Sequence, residues 1–175
     1  MTPEPDDLAE ALLGIDPASP LGALRRQRPD ILRHTEGAYR ALVTPDDPGG
    51  GTPAVGGVSL AERAALALRV ALIERHEALA GHYRSLLATR GTPEEQRAAE
   101  AFPALEGDSR LAALLRYADL VAQHPARADQ AEIDHLSNLG LSPQDIVAVT
   151  QLVAFVPYQT RLFAGLRLLQ REAQA

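Results

Sequence analysis

Apolar residues along this chain recur at intervals of three and four, the spacing that places them on one face of a helix. The pattern appears at Ile31, Leu32, Tyr39 and Leu42, and again at Ile146, Val149, Leu152, Val153 and Val156. No segment shows the period of two that a half-buried strand requires. We therefore predict an all-α fold in the form of a helical bundle.

Capping residues and prolines indicate where the helices begin. Ser59 and Glu62 have the spacing of a capping box, and Thr92-Pro93 is a second start, with Thr as cap and Pro in the first turn. Gly91 and Gly140 are expected helix ends. The predicted helices start near Pro20, Pro29, Ser59, Thr92, Asp108, Arg127 and Ser142.

Two of these helices are predicted to be long. The first covers about residues 59–89 and runs without a break from Ser59 through Arg84. The second covers residues 142–172 and contains Pro157, which removes one backbone hydrogen bond and crowds the preceding turn. We expect a kink at Pro157, or two helices that meet there at an angle.

A segment rich in glycine and proline divides the chain. Residues 44–58 contain five Gly and three Pro, a composition typical of a loop. We predict a helical N-terminal extension over residues 1–43, this loop, and a core over residues 59–175, all within one structural domain. The Gly-rich run is not read as a phosphate loop, because no strand precedes it and no Gly-Lys-Ser follows.

Composition and charge narrow the class of partner. The net charge is −6 and the sequence pI is about 5.3, which argues against nucleic acid or an anionic membrane as the main partner. No stretch approaches the roughly 18 consecutive apolar residues of a membrane span, and the first residues lack the pattern of a secretory signal. We expect a soluble, cytoplasmic protein.

The sequence contains no cysteine. This excludes disulfides, thiolate metal sites, iron–sulfur clusters and any mechanism that uses a nucleophilic or redox-active thiol. His76 and His82 are six residues apart, which places them on different helix faces and argues against a shared metal ion. We predict neither a metal site nor a bound cofactor.

Several stretches, taken in order, resemble one known family. They are Leu60–Ala71, Ala80–Leu87, Ala118-Asp119, Leu139–Ile146 and Gln151–Arg161. Over about residues 20–170 the chain is similar to the alkylhydroperoxidase-D-like (AhpD-like), or carboxymuconolactone decarboxylase, family, in its peroxidase-related branches. The resemblance implies the AhpD-like helical bundle and an assembly of identical subunits. Helices rich in Ala and Leu on more than one face also favour a homo-oligomer.

The peroxidase motif of this family is Glu, eleven residues, Cys, two residues, Cys, three residues, His. If His82 is the motif histidine, the cysteine positions fall on Arg75 and Ala78, and the Glu position falls on Arg63. A register shifted by one residue places the three later motif positions on His76, Leu79 and Tyr83. Neither register contains a thiol, so we predict that the protein is not a thiol peroxidase.

Six residues are candidates for a site. We predict catalytic roles for His82, Glu62 and Tyr158, and substrate-binding roles for Arg69, Arg161 and Tyr83. Four of the six have a structural alternative: Glu62 completes a capping box, His82 is a packed core or interface residue, and Arg69 pairs with an acid. Arg161 alternatively forms a salt bridge to the first helices.

Two hypotheses of function remain open. In the first, the protein is a cysteine-free enzyme that performs acid–base chemistry on a small carbonyl or carboxylate compound, as the decarboxylases of the family do. In the second, it is a non-catalytic oligomer with the same fold that binds a ligand or has a structural role. The two differ in whether His82 lies in a pocket beside a second titratable group.

Overall fold

The computed structural model describes residues 7–45, 57–103, 107 and 109–172. Within these residues the regular structure is helical and contains no strand, so the predicted all-α class is confirmed. The elements in order are α1 (Leu8–Leu13), α2 (Pro20–Arg26), α3 (Pro29–Leu42), α4 (Leu60–Ile73), α5 (Glu77–Arg90), α6 (Pro93–Glu100), α7 (Arg110–Gln123), a short 3-10 helix (Pro125–Arg127), α8 (Gln130–Asn138) and α9 (Pro143–Glu172).

The predicted capping box at Ser59 and the predicted helix start at Thr92 are both present. The Ser59 hydroxyl accepts from the Glu62 amide at 3.1 Å, and the Glu62 carboxylate accepts from the Ser59 amide at 2.8 Å. Thr92 and Glu95 make the same reciprocal pair at the start of α6. These starts were predictable because each capping box is complete within four consecutive residues.

Two other predicted helix starts were wrong. Ser109, and not Asp108, caps α7, with its hydroxyl accepting from the Ala112 amide at 3.2 Å; Asp108 itself lies outside the described residues. The helix expected from Arg127 begins at Gln130 instead. Asp129 caps it by accepting from the Ala131 amide at 2.8 Å.

The predicted continuous helix over residues 59–89 is also wrong, because the chain turns between α4 and α5. Arg75 has a φ of 55°, in the left-handed region. The Arg75 amide donates to the Leu72 carbonyl and the His76 amide to the Ala71 carbonyl, each at 3.0 Å. This is the Schellman pattern that ends many helices, with Arg where Gly is usual. His76 then caps α5, because its Nδ1 accepts a hydrogen bond from the Leu79 amide at 3.2 Å.

Helix α4 is the centre of the bundle. It contacts α5, α6, α7 and α9, and every residue from Ala64 to Ala71 is buried. Small Ala side chains allow neighbouring helices to approach closely on all sides. The all-round apolar character of this helix, from which an oligomer was predicted, is therefore accounted for by contacts within one chain.

Helix α9 spans 30 residues and runs through Pro157 without interruption. The predicted long C-terminal helix is confirmed, and it is one helix and not two. By length and apolar composition it is the one helix among the described residues that could cross a membrane. Half of its most apolar 18-residue segment is buried in the bundle. The core helices of soluble proteins can have the same length and apolar composition. Helices α1 and α3 pack on it and connect the N-terminal segment to the bundle.

Candidate functional site

His82 on α5 meets a tyrosine from the N-terminal segment. The Tyr39 hydroxyl lies 2.8 Å from His82 Nε2, and the direction of the proton in this hydrogen bond depends on the imidazole tautomer. Tyr39 is buried in α3, whereas His82 is half-buried. The two ring centroids are 5.8 Å apart. A second titratable group therefore lies within hydrogen-bond reach of the predicted catalytic histidine.

Tyr83, the next residue, points to α9. It is fully buried, and its hydroxyl donates to Gln159 Oε1, which is also buried. Burial raises the pKa of Tyr83 well above its usual value, and the neighbouring Tyr39 and Glu36 raise this pKa further, while the bond to Gln159 opposes the shift. Tyr83 is therefore a neutral hydrogen-bond donor throughout the ordinary pH range.

A small cavity lies between α1, α3 and α9, beside these two pairs. Its volume is about 50 Å³, and Tyr39 and Gln159 form part of its wall. Tyr158 also lines it, with its hydroxyl 3.1 Å from Thr35 Oγ1. The exposed Ile31 contributes to the same lining. The structure thus places the predicted site residue Tyr158 in the same cavity wall as Tyr39, the hydrogen-bond partner of His82.

Glu36, one turn before Tyr39 on α3, also lines this cavity. Its Oε1 accepts from the Leu8 amide at 3.3 Å. Burial raises the pKa of Glu36, and the nearby Asp7 carboxylate adds to the increase, whereas the Leu8 amide and two arginines oppose it. The protonated carboxyl group is therefore more populated here than at an exposed glutamate.

A much larger cleft of about 730 Å³ opens on the adjoining face of α3. Asp7, Leu32 and Glu36 line both this cleft and the small cavity. Three arginines also line the cleft: Arg26, Arg33 and Arg40. Arg26 is paired with Glu10 at 2.8 Å and Arg33 with Asp30 at 2.8 Å. Because Asp7, Glu10 and Glu36 also line the cleft, its lining has three acidic and three basic side chains beside apolar residues.

Glu62 lies in a different part of the bundle. Its Oε1 accepts from Arg110 Nε at 2.7 Å, and its Oε2 caps α4. Both oxygens therefore have structural partners, and the capping alternative is confirmed. The predicted catalytic role of Glu62 stays a prediction, but none of the contacts described for Glu62 connects it with His82.

Arg69 is fully buried in α4, and its partner is Asp119 on α7. Its guanidinium also donates to the Ala99 and Ala101 carbonyls. The Phe102 ring covers it, with the ring centroid 3.5 Å from Cζ. Every direction of the guanidinium is thus occupied by protein, which supports the structural alternative over ligand binding.

Arg161 is exposed, and its Nη1 donates to the Pro157 carbonyl at 2.8 Å. It lies 3.9 Å from the Glu74 carboxylate, a long ion pair to the turn after α4 and not to the first helices. Glu74 also accepts from Thr160 Oγ1 at 3.1 Å. Arg161 is on the solvent side of α9 and does not line the small cavity.

The two positions where the resembling family carries cysteines lie at the α4–α5 turn. In one register they are Arg75, exposed at the left-handed turn position, and Ala78; in the other they are His76 and Leu79. His76 packs edge-on against Phe163 with centroids 5.5 Å apart. Burial lowers its pKa, and Arg167 lowers it further. Across the part of the chain that the structure describes, no group of three or more acidic or histidine side chains is placed to hold a metal ion.

Sequence reasoning did not identify Tyr39 or Glu36 as site residues. Tyr39 was assigned to the apolar face of α3, because a tyrosine at helical spacing is usually a core residue. Its separation from His82 by 43 positions gives no local signal. Gln159, by contrast, follows Pro157 and Tyr158 directly, and polar residues beside a proline inside a helix favoured a pocket and a structural role equally.

Comparison with known proteins identifies the fold. No protein-family model and no curated protein matches this sequence. Among solved structures, the chain is similar to an AhpD-core, uncharacterized peroxidase-related protein from Ralstonia eutropha, with a TM-score of 0.60 and 19% identity over 78% of this chain and 68% of that one. It is also similar to an uncharacterized peroxidase-related protein from a Silicibacter species, with a TM-score of 0.64 and 17% identity over the same shares. The chain therefore has the AhpD-like fold, as the resemblance implied.

Proposed function

We propose that this protein is a thiol-independent acid–base enzyme built on the AhpD-like fold, which acts on a small compound that carries both a carbonyl and a carboxylate group. The observation that carries the proposal is the 2.8 Å contact between the Tyr39 hydroxyl and His82 Nε2. A phenol in contact with an imidazole is a pair that relays protons near neutral pH. Thiol chemistry is excluded because the chain has no cysteine.

In the proposal each of the two cavities holds one part of the substrate. A cavity of about 50 Å³ has room for a single carbonyl or carboxyl group, since one water molecule occupies about 30 Å³. The cleft of about 730 Å³ is of the size that holds a whole small molecule. In the proposal the body of the substrate occupies the cleft, and its reacting carbonyl passes Leu32 and Glu36 to reach Tyr39.

In the proposal, two arginines of the cleft bind the carboxylate group of the substrate. Arg33 and Arg40 lie seven residues apart on α3, which is two turns, so both face the same side of the helix. Guanidinium groups bind carboxylates through paired hydrogen bonds. The carboxyl group of Glu36 is more readily protonated than usual, so it repels an incoming carboxylate less than an ordinary glutamate would.

Decarboxylation illustrates the proposed proton flow. In a substrate whose carboxylate lies on the carbon beside a carbonyl, the bond to the carboxylate breaks and carbon dioxide leaves. The bonding electron pair passes into the carbonyl group, and its oxygen takes the Tyr39 proton. Protonated His82 returns a proton to the tyrosine oxygen and is itself reprotonated from water. The enol product then rearranges to the ketone, and no oxidant or reductant is required.

The experiment is a decarboxylation assay with a panel of small 3-oxo acids and carboxylated lactones. We expect Tyr39→Phe and His82→Ala each to lower kcat at least about a hundredfold, the usual contribution of a positioned acid–base group. The matched control is Tyr117→Phe. This change removes another buried tyrosine hydroxyl, one that lies 2.7 Å from Thr150 Oγ1 on a different side of the bundle, and it is expected to leave kcat unchanged.

Two results would overturn the proposal. The first is hydroperoxide turnover by the unmodified protein with a thiol reductant and no added cofactor. The second is a set of panel compounds that raise the melting temperature of the protein without being converted. That result would favour the non-catalytic, ligand-binding alternative.

A further inference from the structure

Three residues line both the small cavity and the large cleft: Asp7, Leu32 and Glu36. Leu32 and Glu36 lie four residues apart on α3, and Tyr39 follows three residues later. This spacing places the three side chains on one face of the helix. Glu36 therefore lies where the two spaces adjoin, about 4.5 Å along the helix from the tyrosine of the proposed reaction.

The two acids at this junction differ in the use of their oxygen atoms. Asp7 Oδ1 accepts from the Glu10 amide at 3.0 Å, and its Oδ2 pairs with Arg25 at 2.5 Å. Glu36 Oε1 accepts from the Leu8 amide at 3.3 Å. Its Oε2 has no hydrogen-bond partner among the residues that the structure describes. Glu36 is thus the acid at the junction with an oxygen available to a ligand.

The surroundings of Glu36 favour its acid form. Burial is the main cause that raises the pKa of this carboxyl group, and the Asp7 carboxylate raises the pKa further. The Leu8 amide, Arg40 and Arg25 act in the opposite direction. A half-buried carboxyl group with one oxygen fixed by a backbone amide is suited to give its proton to a group bound beside it.

We propose that Glu36 is a further catalytic residue of the reaction proposed above, and that its carboxyl group gives a proton to the carbon from which carbon dioxide has left. This inference rests on the proposed function. In that function the substrate passes Leu32 and Glu36 to bring its carbonyl group to Tyr39. The carbon beside the carbonyl then lies on the cleft side of Tyr39, where Glu36 is. Tyr39 serves the oxygen of the substrate, and Glu36 serves the carbon.

The step converts the enol into the ketone without another reactant. The Glu36 O–H bond breaks, and the electron pair of the carbon–carbon double bond takes its proton to form the new C–H bond. The O–H bond of the enol also breaks. Its electron pair completes the carbonyl group, and its proton passes to the Glu36 carboxylate. Glu36 is protonated before and after the step, which is an isomerisation and needs no oxidant or reductant.

A carboxyl group on one wall of the site protonates one face of the enol, whereas an enol released into water is protonated on both faces. The probe for this difference is the 3-oxobutanoate that carries one methyl and one ethyl group on the carbon beside its carboxylate. Its decarboxylation gives a ketone with a new stereocentre at that carbon. Chromatography on a chiral column measures the enantiomeric excess, after subtraction of the racemic ketone formed without protein. We expect the unmodified protein to give one enantiomer in excess.

Glu36→Gln keeps an acceptor for the Leu8 amide and removes the acidic proton. We expect the enantiomeric excess to fall at least about tenfold, because loss of a positioned acid slows protonation by about a hundredfold or more and the enol then leaves. The excess is a ratio of two products, so it does not depend on the amount of folded protein. The matched control is Glu94→Gln, which removes an exposed carboxylate on α6 and should keep the full excess.

Glu36→Asp retains a carboxyl group and should give the same enantiomer in excess, and this variant decides the test if Glu36→Gln does not fold. An undiminished excess in Glu36→Gln, or a racemic product from folded Glu36→Asp, would overturn the role of Glu36. Release of carbon dioxide with a racemic ketone from the unmodified protein would also overturn it, while the roles of Tyr39 and His82 would stand. If no compound of the panel releases carbon dioxide, the proposed function fails, and this inference fails with it.

Discussion

Arg69 and Asp119 are joined by two parallel hydrogen bonds across the centre of the bundle. Arg69 Nε lies 2.6 Å from Oδ1, and Nη2 lies 2.5 Å from Oδ2 of the aspartate. The arginine side chain is fully buried, whereas the aspartate side chain is 21% exposed. A buried guanidinium with no carboxylate partner is costly, because the interior cannot solvate the charge.

Removal of the aspartate alone should therefore destabilise the protein strongly. We expect Asp119→Ala to lower the free energy of unfolding by about 3 kcal/mol, as is usual when one partner of a buried pair is lost. The double variant Arg69→Met/Asp119→Leu should recover most of this loss. The measurement is urea unfolding followed by circular dichroism.

The matched control is Glu100→Ala, which removes one partner of the exposed pair between Arg84 and Glu100. Both of its side chains are 37% exposed, so we expect a loss below about 1 kcal/mol. Equal losses for the buried and the exposed pair would contradict the role given to Arg69.

For the hydrogen bond between Tyr83 and Gln159 we also expect that removing one partner costs more stability than removing both. Tyr83→Phe leaves the buried Gln159 side chain without its donor, and we expect a loss of about 1 to 3 kcal/mol. Tyr83→Phe/Gln159→Leu removes both polar partners and should be closer to the unmodified protein in stability. A double variant that loses as much stability as the two single variants together would contradict this coupling between Tyr83 and Gln159.

Glu36 should make stability depend on pH. Its pKa is raised in the folded protein, so the folded state holds the proton more tightly, and the contribution to stability is lost as the pH rises through the folded pKa. Glu36→Gln cannot ionise and keeps a carbonyl oxygen for the Leu8 amide. We therefore expect this variant to gain stability relative to the unmodified protein as the pH rises from about 4 to about 7.

An exposed glutamate provides the control for this pH dependence. The pKa of Glu94 is lowered, first by a hydrogen bond to its own backbone amide and then by Arg97. The contribution of Glu94 to stability is therefore present above its pKa in the unfolded chain and is lost as the pH falls. Glu94→Gln should therefore give a pH slope of opposite sign. Slopes of the same sign for the two variants would contradict the environment assigned to Glu36.

His76 should report on the arginine at the end of α9. Burial lowers its pKa first, and the charge of Arg167 lowers it second. We expect Arg167→Gln to raise the pKa of His76 while leaving it below the usual histidine range, since the burial is unchanged. Titration of the imidazole signals by NMR measures the shift. An unchanged pKa would show that Arg167 does not act on this imidazole.

The turn at Arg75 offers a stabilising substitution. Its φ of 55° is in the left-handed region, where a residue with a Cβ atom is strained and glycine is not. Arg75→Gly should raise the free energy of unfolding by about 0.5 kcal/mol, because the relief of strain is partly offset by a more flexible unfolded chain. Arg75→Ala, which keeps the Cβ atom and removes the same charge, is the control and should give no gain.

The fold class was predictable because its signals are local. The three-and-four spacing in α3 and α9, and the capping boxes at Ser59 and Thr92, each lie within one short segment. The break between α4 and α5 was missed for the same reason. Its Schellman turn has Arg75 where the usual signal is a glycine, so the sequence continued to resemble a helix.

The candidate site was predictable only in part. Tyr158 lines the small cavity, and His82 and Tyr83 bond to two residues of its wall that come from distant positions in the sequence. Tyr39 is 43 residues from His82, and Gln159 is 76 residues from Tyr83. The spacing of apolar residues shows which face of a helix is apolar. It does not show which other helix packs against that face.

The sequence by itself determined the helical class, most helix starts and the absence of thiol chemistry, since each of these depends on composition or on contacts within a few residues. The tertiary structure alone decided that Arg69 pairs with Asp119 and that His82 meets Tyr39. It also decided which face of α9 is left uncovered. Those outcomes depend on how the helices pack, and packing is selected by the shape and charge of the whole bundle.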